Sequence, residues 1–139
     1  MLARLRRDYL SFAGRIPRLV YWRRSLASAI VSGLLVAAGW LAQPYSQPAF
    51  LILSSIAFVV SALTLASLSV RRFQDHGRNG WLGLGVLVAA AAIAYGGDFG
   101  LAPTYAAVLG GAVSLALFVY LGFVRGSRRT NRYGPDPLA

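Results

Sequence analysis

The chain contains no cysteine, no lysine and no glutamate, and only one histidine. Without cysteine there is no disulfide, no thiolate metal site and no cysteine nucleophile. One histidine and no glutamate leave almost nothing from which to build a general acid–base pair or a transition-metal centre. A non-enzymatic protein without metal or cofactor is therefore expected. Charge is scarce as well: 13% of the 139 residues are charged and 57% are hydrophobic, whereas a soluble domain carries roughly 25% charged residues. The length allows one domain, and the composition is that of a membrane protein. All fourteen basic residues are arginine and all four acids are aspartate. The net charge of +10 would suggest nucleic acid in a soluble protein. The order of the charges offers another explanation, and no nucleic-acid partner is expected.

Residues 1–24 hold seven arginines and one aspartate. Leu2, Leu5, Tyr9 and Phe12 recur at spacings of three and four, one face of a short helix, with Arg4, Arg6 and Arg7 off that stripe. Such an amphipathic helix would lie in the head-group region of a bilayer. Gly14 and Pro17 break it, and Pro17 suits the first position of a new helix. Tyr21 and Trp22 follow where an interfacial aromatic belt would be.

Four uncharged apolar runs come next, at about residues 25–43, 49–70, 81–95 and 104–124. At about 1.5 Å per residue the first, second and fourth can cross a ~30 Å hydrocarbon layer. The third is shorter, and by length alone it fits a re-entrant segment or a buried helix equally well. Pro44 and Pro48 frame the first turn; Gly96, Gly97, Asp98, Gly100 and Pro103 mark the turn before the last run. A secretory signal peptide is disfavoured, because the basic region and the first run are too long and further runs follow.

Positive segments alternate with neutral or negative ones. The N-terminal segment, the loop at 71–80 and the tail at 125–139 are each net positive; the other two turns carry no charge and one aspartate respectively. Basic loops stay cytoplasmic, so both termini and the middle loop are expected inside. That alternation makes the third run a span, since otherwise the tail with its four arginines would lie outside. Small residues recur four apart at Ala29, Gly33 and Ala37, at Ala62 and Ala66, at Gly85 and Ala89, and at Ala106, Gly110 and Ser114, as close helix packing in lipid requires. The expected fold is an all-α integral membrane four-helix bundle, four transmembrane helices with an N-terminal amphipathic interfacial helix. No run holds a charged residue, which weakens an ion path or transport site and leaves the cytoplasmic side for distinctive chemistry.

Three stretches stand out there. In the first, around Gly14, Arg15 and Arg18 either grip phosphate oxygens by forked hydrogen bonds or are positive-inside charges on an interfacial linker. In the second, Asp75 lies four residues after Arg71 and three after Arg72, within pairing reach if the second helix continues. Gly77 and Gly80 can take positive φ and turn the chain, and Trp81 follows at the interface. The lone His76 is expected to be a loop histidine rather than a ligand. In the third, Asn131-Arg132-Tyr133-Gly134-Pro135-Asp136-Pro137 is rich in turn formers. It is either a disordered terminus or folds back, with Tyr133 against the aromatic belt and Asp136 toward an arginine.

The patterns F-x-G-R-x-x-R-x-x-Y-W, R-R-x-x-D-x-G-R-x-G-W and N-R-Y-G-P-D-P, in that order and between four apolar runs, resemble the small bacterial inner-membrane proteins grouped as domain of unknown function 805. The resemblance covers about residues 10 to 138. The family usually reads R-R-L-H-D-x-G-R-S-G-W-W in the middle, where this chain has Phe73, Gln74, Asn79 and Leu82. The resemblance implies a bacterial inner (plasma) membrane location and the same topology, and supplies no activity. It also implies that Arg15, Arg18, Arg71, Arg72, Asp75, Gly80, Trp81, Asn131, Arg132, Tyr133 and Gly134 belong together; all fall on one side of the membrane in the topology above, so the three stretches are expected to form one cytoplasmic rim. The function expected is binding of anionic lipid head groups or an acidic protein partner by that rim. The alternative is an accessory subunit of a larger membrane complex or a small-solute transporter.

Overall fold

The computed structural model describes residues 2–97, 100 and 103–139, with side chains from residue 5 onward. Asp98 and the Leu2 and Arg4 side chains, which entered the expectations above, lie outside the described residues. Five helices follow one another: α1 (Leu2–Tyr9), α2 (Arg18–Ala42), α3 (Gln47–Asp75), α4 (Gly80–Gly96) and α5 (Thr104–Phe123). No strand occurs among the described residues; one isolated bridge pairs Asn131 with Gly134. Helices α2, α3 and α5 are long and apolar enough to cross a membrane, whereas α4 is a shorter apolar helix of 17 residues.

The helices outrun the apolar runs at their basic ends. Helix α2 starts at Arg18, directly after Pro17, and α3 continues through Arg71 and Arg72 to Asp75. Arginine is a good helix former, and nothing there halts the helix before Gly77. Helix α1 is shorter than its stripe. It ends at Tyr9, and Phe12 lies beyond it, where the Ser11 carbonyl accepts the Ser67 hydroxyl at 2.6 Å instead of a helical N–H.

The chain divides into two compact units. The first comprises Met1–Phe12 and Leu19–Leu68, the second Ala13–Arg18 and Ser69–Ala139. Within the first, α2 and α3 meet along a seam of small and hydroxyl residues. Ser32 Oγ donates to the Ala57 carbonyl at 3.2 Å and accepts from Ser61 Oγ at 2.7 Å. A Cβ on Gly39 would sit 3.4 Å from the Phe50 ring. Ser46 Oγ accepts the Ala49 N–H at 3.3 Å, capping α3. The small-residue stripe expected on α2 faces elsewhere: Ala29, Gly33 and Ala37 are exposed, and the buried face is Ser28, Ser32 and Gly39. A spacing of four fixes a stripe but not its direction, and two stripes of small residues run side by side on this helix.

Within the second unit, α4 packs on α5. Gly110 lets the backbones touch, since a Cβ there would lie 2.6 Å from the Ala90 carbonyl oxygen. Here the expected stripe of α5 does make the contact, whereas Gly85 and Ala89 of α4 are exposed. The α3–α4 connection is capped at both ends. Gly77 takes φ +72°, the Gly77 N–H bonds to the Gln74 carbonyl and the Arg78 N–H to the Phe73 carbonyl, both at 3.0 Å. That pair of bonds is a Schellman motif, with glycine at the left-handed position. Asn79 then caps α4, its Oδ1 accepting the Trp81 N–H at 3.0 Å and the Leu82 N–H at 3.5 Å. Gly80 does not adopt positive φ; it is small because a Cβ would stand 2.5 Å from the Val70 carbonyl oxygen.

Candidate functional site

The second unit is built around Asp75, the last residue of α3. Its carboxylate lies between two guanidiniums. Oδ1 accepts from Arg15 Nε at 2.9 Å and Oδ2 from Arg72 Nη1. The Arg72 pair is the i,i+3 contact that a continued helix allows. Arg15 comes from the linker that precedes α2. All three side chains are shut away from solvent: 2% of Arg15, 1% of Arg72 and 4% of Asp75 remain exposed.

Two buried cations against one anion leave a surplus positive charge, which would be strongly unfavourable without further partners. Backbone oxygens supply them. Arg72 donates through Nε to the Leu121 carbonyl at 2.7 Å, through Nη1 to that of Ile16 at 3.3 Å and through Nη2 to that of Val124. Leu121 and Val124 lie at the C-terminal end of α5, where helix carbonyls lack N–H partners and the helix dipole is negative. Arg72 thus caps α5 from α3. Arg15 Nη1 donates to the carbonyls of Arg129 at 2.8 Å and Gly134 at 3.1 Å, and Nη2 to that of Ser127.

The same arrangement captures the tail. The Asp75 carbonyl accepts the Ser127 N–H at 2.9 Å and the Ser127 hydroxyl at 3.0 Å. Asn131 Nδ2 donates to the Gln74 carbonyl at 3.0 Å and to Ser127 Oγ at 3.1 Å, and Asn131 Oδ1 accepts the Tyr133 N–H at 2.9 Å. Asn131 and Gly134 exchange backbone hydrogen bonds at 3.1 and 3.0 Å, which curls residues 131–134 so that the Gly134 carbonyl meets Arg15. Gly126 has no room for a side chain, because a Cβ there would overlap the Asp75 carboxylate. The tail is ordered and folded back.

His76 follows Asp75. Its Nδ1 faces the Arg72 carbonyl at 2.8 Å and its Nε2 the Val124 carbonyl at 3.2 Å. The ring lies 4.6 Å from that of Tyr120, over which Arg78 also sits, at 5.7 Å. Burial lowers the His76 pKa below its ordinary value, the Arg72 charge adds to that, and the carbonyl contacts and Asp75 oppose it. Among the described residues no group of acids and histidines could hold a metal ion.

Of the eleven residues singled out by sequence, the structure brings together Arg15, Arg72, Asp75, Asn131 and, through its backbone, Gly134, with Tyr133 tied in by its N–H to Asn131. The Tyr133 ring lies against its neighbour Arg132, whose guanidinium is 4.9 Å from the ring centre. Arg132 and Arg18 are exposed, and Arg18 borders a cavity of about 50 Å³ next to Arg72 and Asp75. Arg71 is half-buried. Trp81 is 59% exposed on the first turn of α4. Asp136 is turned to a local task, its Oδ1 accepting the Leu138 N–H at 2.9 Å. Gly126 and Ser127, which the motifs do not include, are central. Their only signal was a Gly-Ser pair just beyond Arg125, the residue that ends the last apolar run.

A family model described as protein of unknown function (DUF805) matches residues 9–135. No curated protein and no solved structure matches significantly.

Proposed function

The chain belongs to the DUF805 family of proteins of unknown function, and from that premise we propose that it is a non-enzymatic, four-span protein of a bacterial inner membrane. Both termini and the α3–α4 turn face the cytoplasm, and α1 lies in the interface. In this reading the motif residues divide the work. Arg15, Arg72, Asp75 and Asn131 form an internal clasp. The exposed arginines around it, Arg18, Arg78, Arg125, Arg128, Arg129 and Arg132, attract anionic lipid head groups or an acidic protein partner. The observation that supports this best is that division itself: the buried guanidiniums are satisfied by Asp75 and backbone oxygens, while six others in the same unit point outward. Such residues gain roughly 1 kcal/mol each beside an anionic leaflet, in a salt-sensitive way.

The test is purification into nanodiscs of mixed phosphatidylglycerol and phosphatidylcholine, with mass spectrometry of everything retained, for wild type and Arg128→Gln/Arg132→Gln. Enrichment of the anionic lipid that falls in the variant supports the lipid reading. A retained protein lost in the variant favours an acidic partner instead, and equal retention of both lipids by both proteins removes the proposal. The exposed small faces of α2 and α4 favour a second reading, an accessory subunit packed against another membrane protein; a transporter has less support, for lack of a charged residue within the apolar runs. Topology is open to direct labelling, since the chain has no cysteine of its own. Tyr45→Cys should react with an impermeant maleimide from outside, and Arg128→Cys only after the membrane is opened.

A further inference from the structure

The first unit holds cations that the reading above does not use. A cleft of about 840 Å³ opens between α1, α2 and α3, walled by Leu5, Leu10, Val31, Val59 and Leu63. Its volume is that of sites which enclose a small molecule, ~300–1,000 Å³. Ser28 also lines it, and its hydroxyl is buried without a hydrogen-bond partner among the described residues. A second cavity of about 360 Å³ adjoins it, sharing Tyr9 and Ala27 as walls. This one is polar, bordered by Asp8, Arg23 and Arg24. Arg24 is already engaged. Its Nη2 meets Asp8 Oδ1 and its Nη1 the Asp8 carbonyl, both at 2.9 Å, and its guanidinium lies 5.9 Å from the Tyr9 ring centre. Arg6, at the edge of the apolar cleft, and Arg23, in the polar cavity, are exposed and enter no ion pair among the described residues.

We propose that this double cavity binds one anionic membrane phospholipid per chain, with an acyl chain in the apolar cleft and the phosphate against Arg6 and Arg23. A small soluble anion would neutralise the arginines and leave the apolar walls wet. A neutral hydrocarbon would fill the cleft and leave the charges uncompensated. A phospholipid does both, since guanidinium and phosphate pair by strong forked hydrogen bonds and the apolar walls take the chain. The Ser28 hydroxyl supplies a donor for an ester carbonyl. The inference rests on the membrane reading only for the premise that lipid surrounds the chain. It differs from the attraction exerted by the exposed arginines, which is graded, salt-sensitive and without fixed stoichiometry.

The test uses the full-length chain in mild detergent, titrated with phosphatidylglycerol or phosphatidylcholine, with adducts counted by native mass spectrometry. Wild type should saturate at one phosphatidylglycerol, favoured over phosphatidylcholine by about tenfold. Ala27→Phe, on the wall shared by the two cavities, should remove that adduct while circular dichroism shows unchanged helix. Arg6→Gln/Arg23→Gln, on exposed positions that place no demand on folding, should retain an adduct and lose the preference between head groups. Arg128→Gln/Arg132→Gln, in the second unit, should leave the single adduct intact, so that this site and the lipid attraction proposed above can fail separately. Adducts that climb without saturating, an adduct unchanged by Ala27→Phe, or a preference that survives loss of both Arg6 and Arg23 would each overturn the proposal.

Discussion

Along the α2–α3 seam of the first unit, two serines and a carbonyl share two hydrogen bonds, and Gly39 lies against Phe50. In the second unit, two guanidiniums and a carboxylate are sealed from water and linked to six backbone oxygens. The seam is made of many weak, interchangeable contacts: close van der Waals approach, with neutral hydrogen bonds added. Losing one leaves a small gap or a serine that can turn to its own helix. The clasp has no such slack. Each charge in it is tolerable only because the others are present, so its members act as a unit.

The difference can be tested by weakening each region in turn. Asp75→Ala should have the largest effect, because it leaves Arg15 and Arg72 buried without an anion. A loss of about 3–5 kcal/mol is expected from breaking a buried pair by removing one partner, read as a fall in the denaturant midpoint in detergent and as early proteolysis of the tail. Gly126→Ala probes the same place by shape alone. The added methyl collides with the carboxylate, and overpacking of this kind costs about 1–3 kcal/mol. If Gly126→Ala is neutral, the carboxylate is not held as closely as the geometry indicates. Ser32→Ala, in the seam, should cost only about 0.6 kcal/mol, the usual size of a hydrogen bond between membrane helices. A loss as large as that of Asp75→Ala would abolish the contrast.

The smallest effect is a dependence on pH. Burial lowers the pKa of His76 from 6.5 in the folded chain, so the unfolded chain takes up the proton first as the pH falls. The contribution of His76 to stability is complete above 6.5, declines as the pH drops below it, and levels off once the pH is under the folded value. Melting temperatures between pH 7.5 and 5 should show that decline in wild type and lose it in His76→Gln.

The four apolar runs were plain in the sequence, and each coincides with a helix, although α2 begins seven residues before its run and α3 ends five residues after its own. Apolar length is a property of the chain itself, so no tertiary knowledge is needed to see it. The Arg72–Asp75 pair was also legible, through helical spacing, once the helix was taken to continue. What could not be read was which arginines turn inward. Arg15 and Arg18 sit three apart with similar neighbours, yet Arg15 is sealed in the clasp and Arg18 is exposed. The reason is that the partners of Arg15 are mostly carbonyl oxygens of residues 127, 129 and 134. Every residue carries a carbonyl, so such acceptors leave no trace in composition or spacing. Gly126 was hidden for a related reason: its role is a missing side chain beside a carboxylate fifty-one positions earlier.

The clasp joins positions 15, 72 and 75 to positions 127 to 134, and these are not synthesised together. When residue 75 leaves the ribosome, both guanidiniums and the carboxylate already exist, but the oxygens of Ser127, Arg129 and Gly134 do not. Until they arrive, Arg15 has no complete set of acceptors. A nascent or prematurely stopped chain therefore carries an unshielded guanidinium at the very place where the finished chain is sealed. Closure of the clasp therefore waits until translation has passed residue 134.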